Sequence, residues 1–212
     1  SASNQAAGHG RTGIDAMQLT APAIICAARP HGETAVMARL LTEDYGMIAA
    51  YIAGGRGRRL RPVVIPGNIV EADLHARSES QLPFAKLELL ESRGPWLSEP
   101  LPASAIGWIT ALTASVLPER NAYPNLYSAM AGVLDAVCSA PSARGWLPGL
   151  VAYETLLLRE LGYGGARIAV PDDGRRHDGG DNDSELDASF GRFKKMSGPL
   201  QRYLLADNRR DV

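Results

Sequence analysis

Apolar residues between Ala23 and about Arg93 come in short runs rich in Ile and Val, separated by turn residues, and this pattern predicts strands. Ile24-Ile25-Cys26 opens the series, Ala35 to Leu41 follows, and Met47 to Ile52 comes after a turn at Asp44-Tyr45-Gly46. Ile69-Val70-Glu71-Ala72-Asp73-Leu74-His75 alternates by twos, as does Ala85-Lys86-Leu87-Glu88-Leu89. Five or six short strands within about 70 residues predict a small closed barrel, because closure removes edges that so small a sheet cannot otherwise protect.

Past Pro95 the apolar period changes to that of helices. Ile106, Ile109, Leu112 and Val116 are spaced for one helical face, and so are Leu126, Met130, Val133, Leu134 and Val137 after a Tyr123-Pro124 start. A third helix is predicted from Ser142, a good N-cap, through Trp146, Leu150, Leu157 and Leu161 to a stop at Gly162. Residues 164–187 are rich in Gly and Asp and predict a flexible acidic loop, because little apolar surface is available to offset the entropy of ordering. Helical spacing returns through Phe190, Phe193, Leu200, Tyr203 and Leu204, so 188–212 predicts a C-terminal helix packing on the bundle. The expected class is α+β: an N-terminal β-barrel over 17–94, then an all-α helical bundle over 95–163.

Composition narrows the chemistry. The chain has 212 residues with a formal net charge of −1, which alone argues against nucleic acid, but phosphate binding depends on local charge. Its two cysteines, Cys26 and Cys138, sit in separate apolar runs and read as free thiols. His9, His31, His75 and His177 are equally scattered, so no zinc site and no cofactor is expected. No apolar run approaches the roughly 18 residues of a membrane span, and the opening Ser1 to Ala16 is polar and Gly-rich rather than a secretory signal. A cytoplasmic protein is expected, with 1–16 a disordered arm or expression remnant and Met17 the native start.

The sharpest local feature is Gly54-Gly55-Arg56-Gly57-Arg58-Arg59-Leu60-Arg61-Pro62, four arginines and three glycines between two predicted strands. Guanidinium groups grip phosphate oxygens in pairs and stack on bases, while glycine lets a backbone approach a ligand closely. The competing reading is a solvated basic hairpin that repels edge pairing. Arg39 and Arg77 extend the patch across the barrel unless salt bridges engage them. The segment lacks the Lys-Ser/Thr ending of a phosphate loop. Counting from Asp181, a calcium loop would need Gly and Glu where Leu186 and Arg192 stand. No nucleophile elbow or His-containing cluster appears, so no enzyme is expected. Glu154 reads as a residue bonding a neighbouring loop, and Trp96, Trp108 and Trp146 as core residues before base-stacking platforms.

Several segments, in order, resemble one bacterial family, the recombination mediator RecO. Ala28-Arg29-Pro30-His31-Gly32-Glu33 is similar to its Arg-Pro-x-Gly/Ser-Glu segment, and Leu41-Thr42-Glu43-Asp44-Tyr45-Gly46 to its Thr-x-Glu-x-Gly turn. Gly54 to Arg59 resembles its Gly-(Ala/Gly)-Arg loop, and Tyr153-Glu154 through Leu161-Gly162-Tyr163-Gly164 the close of its third helix. The resemblance implies an OB-fold barrel, binding of single- and double-stranded DNA, work with RecR to load RecA onto strands coated by single-stranded-DNA-binding protein (SSB), and strand annealing. It implies a protein that is a monomer when alone and associates with the nucleoid. Carried over by position, Arg56, Arg58, Arg59 and Arg61 are the expected DNA contacts, with Arg29 and Arg39 secondary.

The chain departs from the family pattern twice. Where many relatives hold a four-cysteine zinc module it has the acidic loop. Where relatives carry Arg before the Phe/Tyr-Glu pair, a site that receives the acidic SSB tail, it has Val151 and Ala152, so Arg144 and Arg159 are the expected substitutes. The alternative function is a protein-interaction scaffold without physiologically important DNA binding. A small hydrolase would require a convergent polar site that the sequence does not display.

Overall fold

The computed structural model describes residues 17–78 and 81–163. The arm expected at 1–16, the acidic loop at 164–187 and the helix at 188–212 lie outside the described residues.

Five strands, β1 (Met17–His31), β2 (Ala35–Thr42), β3 (Gly46–Ile52), β4 (Ile69–Ala76) and β5 (Phe84–Glu91), close into a barrel in the order β1-β2-β3-β5-β4. Closure depends on β1, which is not the short strand expected at Ile24-Ile25-Cys26. It runs for 15 residues, pairing its first half with β4 (Met17 to Ile24) and its second with β2 (Ala23 to His31), with a register shift between Ile25 and Ala27. Pro22 and Pro30 look like strand breakers in the sequence. Each lies where β1 has a neighbour on one side only, so its missing N–H falls on an open edge and disrupts no ladder. β3 meets β5 in parallel at Tyr51 and Phe84.

Strand alternation sorts the side chains. Val70, Ala72 and Leu74 of β4 and Ala85 and Leu87 of β5 point into the barrel with Ile25, Leu40, Ile48 and Ile52, while Phe84, Lys86 and Glu88 stay exposed. Where the sequence doubles its apolar residues, at Ile24-Ile25-Cys26, Leu40-Leu41 and Met47-Ile48, the strand is buried on both faces. Ile24, Cys26, Leu41, Met47 and Ile69 face outward into a second cluster shared with the helices.

That cluster is built by α1 (Pro100–Val116), α2 (Pro124–Ser139) and α3 (Ala143–Leu158). A 3-10 turn at Gly94–Ser98 leads into them, and a π turn at Arg159–Tyr163, with Gly162 at φ 87°, follows. Leu126, Met130, Val133, Leu134 and Val137 of α2 are buried as their spacing predicts. Ser142 stands at the N-cap of α3 but its side chain makes no capping hydrogen bond. Trp108 and Trp146 are core residues. Glu154 Oε1 accepts from Trp108 Nε1 of α1 at 2.6 Å, tying α3 to α1 and satisfying an indole N–H that burial would otherwise strand.

Two backbone contacts lock barrel to helices. Arg120 N donates to Met47 O at 2.8 Å, and the carbonyl of Asn121 lies against the Cα of Gly46. At the other end Arg93 N donates to Asn68 Oδ1 at 2.7 Å, and the Arg93 guanidinium pairs with Glu91 and Asp135.

Candidate nucleic-acid interface

The arginine segment lies in the connection from β3 to β4, which β4 ends only at Ile69. It is not the hairpin that the solvated reading assumed, because β5 stands between β3 and β4 and the segment must cross one end of it. The chain makes this crossing as consecutive turns: Gly57 N donates to Gly54 O at 2.9 Å, Arg61 N to Gly57 O at 2.9 Å and Val64 N to Leu60 O at 2.9 Å. Leu60, Val63 and Val64, spaced i, i+3 and i+4, turn one face onto the barrel core. Arg58, Arg59 and Arg61 are thereby held on the exposed side. Buried Asn68 pins the end of the segment, donating from Nδ2 to Pro62 O and Val63 O at 3.0 Å each.

Arg56 is placed differently from its neighbours. Its Nη1 donates to Gly32 O at 3.1 Å and Glu33 O at 3.0 Å, and its N–H to Thr34 O at 3.0 Å, so it ties the segment to the β1–β2 turn. Arg39 does not extend the patch. Its Nη2 donates to Leu117 O at 3.2 Å and pairs with Glu119 at 3.9 Å, which anchors β2 to the end of α1. Arg29 and Arg39 together line a groove of about 570 Å³ between the barrel and α1. Arg77 stands exposed one residue beyond β4.

Arg144 and Arg159 are both exposed, at the start and end of α3. Fifteen residues of helical rise separate them by about 22 Å, so they cannot converge on one carboxylate. Exposed Ala152 lies between them.

A further set of residues escaped the sequence reading. A groove of about 970 Å³ is lined by Tyr51, His75, Arg77, Phe84 and Lys86 among others. Tyr51 meets Phe84 edge-on, with ring centroids 5.2 Å apart at 70°, and meets His31 at 5.9 Å and 85°. A second groove, of about 470 Å³, carries Arg59, Leu60, Lys86 and Glu88, so Lys86 borders both. The sequence signal was an aromatic at the polar parity of β5, where Phe84 stands in line with Lys86 and Glu88. Beside it His75 Nε2 lies 2.8 Å from Asp73 Oδ1. That hydrogen bond, more than any other cause, holds the Asp73 carboxyl below its usual range.

Elsewhere, burial pushes the Cys26 thiol up to about 12 and raises the Tyr153 phenol, which meets Thr113 Oγ1 at 2.6 Å. Among the described residues no group of three or more His, Cys, Asp or Glu side chains is placed to hold a metal ion. No helix among them is long and apolar enough to cross a membrane.

Two family models match: "Recombination protein O N terminal" over residues 17–93, which contain all five strands, and "Recombination protein O C terminal" over 98–165, which contain the three helices. The chain is similar to proteins called "DNA repair protein RecO". That of Rhodospirillum centenum is 40% identical over 149 residues, covering 70% of this chain and 58% of the relative. That of Phenylobacterium zucineum is 36% identical over 149 residues, covering 70% and 60%. That of Rhodospirillum rubrum is 37% identical over 144 residues, covering 66% and 57%. The matched chain thus spans about three-fifths of the length of these relatives. With both family models matched in order across the barrel and the helices, the chain belongs to the recombination protein O (RecO) family.

Proposed function

We propose that this chain is a recombination mediator in DNA repair, which binds single- and double-stranded DNA and performs no covalent chemistry. With RecR it promotes RecA loading onto SSB-coated single strands, and it anneals complementary strands. The observation that carries the reading is the arginine segment. Three guanidiniums are held outward by an apolar face beneath them, on a loop that crosses the end of a small barrel. A five-stranded barrel with this strand order suits the OB type, whose loops and outer face track a flexible backbone without reading sequence. The relatives' name, DNA repair protein RecO, supports the DNA-repair part of this reading.

In this reading the barrel over 17–94 is the DNA-binding domain and the bundle over 95–163 presents partner sites. Arg58, Arg59 and Arg61 contact phosphate, and Arg56 chiefly holds the segment in place. Arg29 and Arg39 contribute less, since Arg39 is engaged by α1. Arg144 and Arg159 take opposite ends of an extended, acidic SSB tail rather than gripping one carboxylate. The protein acts as a monomer in the cytoplasm, at the nucleoid.

The test is fluorescence anisotropy of a labelled oligonucleotide across a salt series, with wild type and an Arg58→Ala/Arg59→Ala/Arg61→Ala variant. Loss of three phosphate contacts on a single strand flattens the log–log salt slope by about two units. Equal slopes for the two proteins would refute phosphate binding by the arginine segment and favour the interaction scaffold.

A further inference from the structure

Five register pairs join into one row around the outside of the barrel. Arg29 opposes Met37, Met37 opposes Tyr51, Tyr51 opposes Phe84, Phe84 opposes His75, and His75 opposes Gln18. The row crosses every strand and contains no carboxylate. At its centre Phe84 is 60% exposed, although its strand has an apolar face on which to bury a ring. An exposed, ordered aromatic flanked by polar side chains marks a surface that something else covers.

The chemistry around the row identifies the occupant. An edge-to-face pair consumes at most one broad face between its two rings, so Tyr51 and Phe84 hold each other in place and still offer a flat π surface. Arg77 and Lys86 border that surface, and Lys86 continues into the groove that Arg59 and exposed Glu88 also line, where two cations face one carboxylate. The carboxylate opposite Lys86, that of Asp73, is engaged by His75 at 2.8 Å and Thr20 at 3.3 Å. Flat aromatic faces beside a file of cations match a ligand that alternates π faces with negative charges. Single-stranded nucleic acid is such a ligand, whereas a duplex turns its base faces inward onto one another.

We propose that Tyr51 and Phe84, with His31 at the edge, form a base-stacking subsite for unpaired nucleotides whose phosphates run from Arg59 past Lys86 towards Arg77. This rests on the reading that the barrel binds DNA. It adds the residues that let the barrel favour a single strand over a duplex.

The experiment compares oligothymidine, an abasic strand with the same phosphates, and a duplex, binding to wild type, Phe84→Ala and Phe84→Trp. Wild type is expected to bind oligothymidine more tightly than the abasic strand by roughly five- to a hundred-fold. Phe84→Ala should lose most of that ratio, with the duplex affinity and the salt slope unchanged, and Phe84→Trp should retain it. An unchanged ratio in Phe84→Ala, or an equal loss of duplex affinity, would overturn the subsite and leave the arginine segment as the DNA site. A protein showing no salt-dependent binding of any strand would overturn the DNA reading itself. Retention of the ratio together with lost binding of a protein partner would make Phe84 a protein-docking residue, which also overturns the proposal.

Discussion

Replacing Gly46 by Ala tests how firmly the barrel is seated on the helices. Gly46 has φ +69°, and a Cβ built there would lie 1.9 Å from the carbonyl oxygen of Asn121 and 2.4 Å from its carbon. These are backbone atoms that cannot rotate aside, so the α1–α2 loop must retreat. The retreat breaks the hydrogen bond from Arg120 N to Met47 O, now 2.8 Å. A left-handed backbone costs Ala about 1 kcal/mol, and the lost bond about another 1. Disturbed packing around buried Met47 and Leu117 adds about 1 more, for a total near 3 kcal/mol. Gly54 supplies the control. Its φ is +66°, but a Cβ there would meet nothing within 4 Å, so Gly54→Ala carries only the backbone term of about 1 kcal/mol. In urea denaturation the two variants should differ by about 2 kcal/mol, roughly 1 M in midpoint at a typical slope. If Gly46→Ala costs no more than Gly54→Ala, the loop does not bear on the turn as described and the rigid seating is wrong.

The DNA-binding tests on the arginine segment and on Phe84 stand with two further expectations. Arg56→Ala should lower the melting temperature and expose the β1–β2 turn to protease, because it removes both side-chain bonds to the Gly32 and Glu33 carbonyls, whereas Arg58→Ala should leave both unchanged; equal behaviour of the two variants would refute a distinct role for Arg56. Cys26 should make the fold sensitive to alkali. Its folded thiol is pushed up from 9.0 to about 12, so its contribution is complete below pH 9 and declines as the unfolded chain ionises first, by roughly 1 kcal/mol per pH unit from about pH 10 until the folded thiol itself begins to ionise. Urea midpoints from pH 8 to 11 should fall less steeply in Cys26→Ala; parallel curves would sink the assignment.

What could be read from the sequence depended on residues close together in the chain. Alternation at Ile69 to His75 and at Ala85 to Leu89 gave the pleat of β4 and β5, and the spacing of Leu126, Met130, Val133, Leu134 and Val137 gave the buried face of α2. The Asp44-Tyr45-Gly46 turn, the Pro124 start and the close at Gly162 are equally local, since each is set by backbone geometry over a few residues. The density of arginine at 56–61 was visible for the same reason, whereas its division of labour was not. Whether a guanidinium faces solvent or a carbonyl depends on partners far along the chain: Gly32 for Arg56, Leu117 for Arg39. The length of β1 was hidden because a proline disrupts a strand only where a neighbour needs its N–H, and the neighbours of Pro22 and Pro30 are decided by barrel closure. Closure also brings Phe84 beside Tyr51, thirty-three positions earlier, and sets both beside Lys86 and Arg77. Local sequence determined the elements and the supply of charge; long-range pairing, which periodicity does not encode, decided which side chains share a surface.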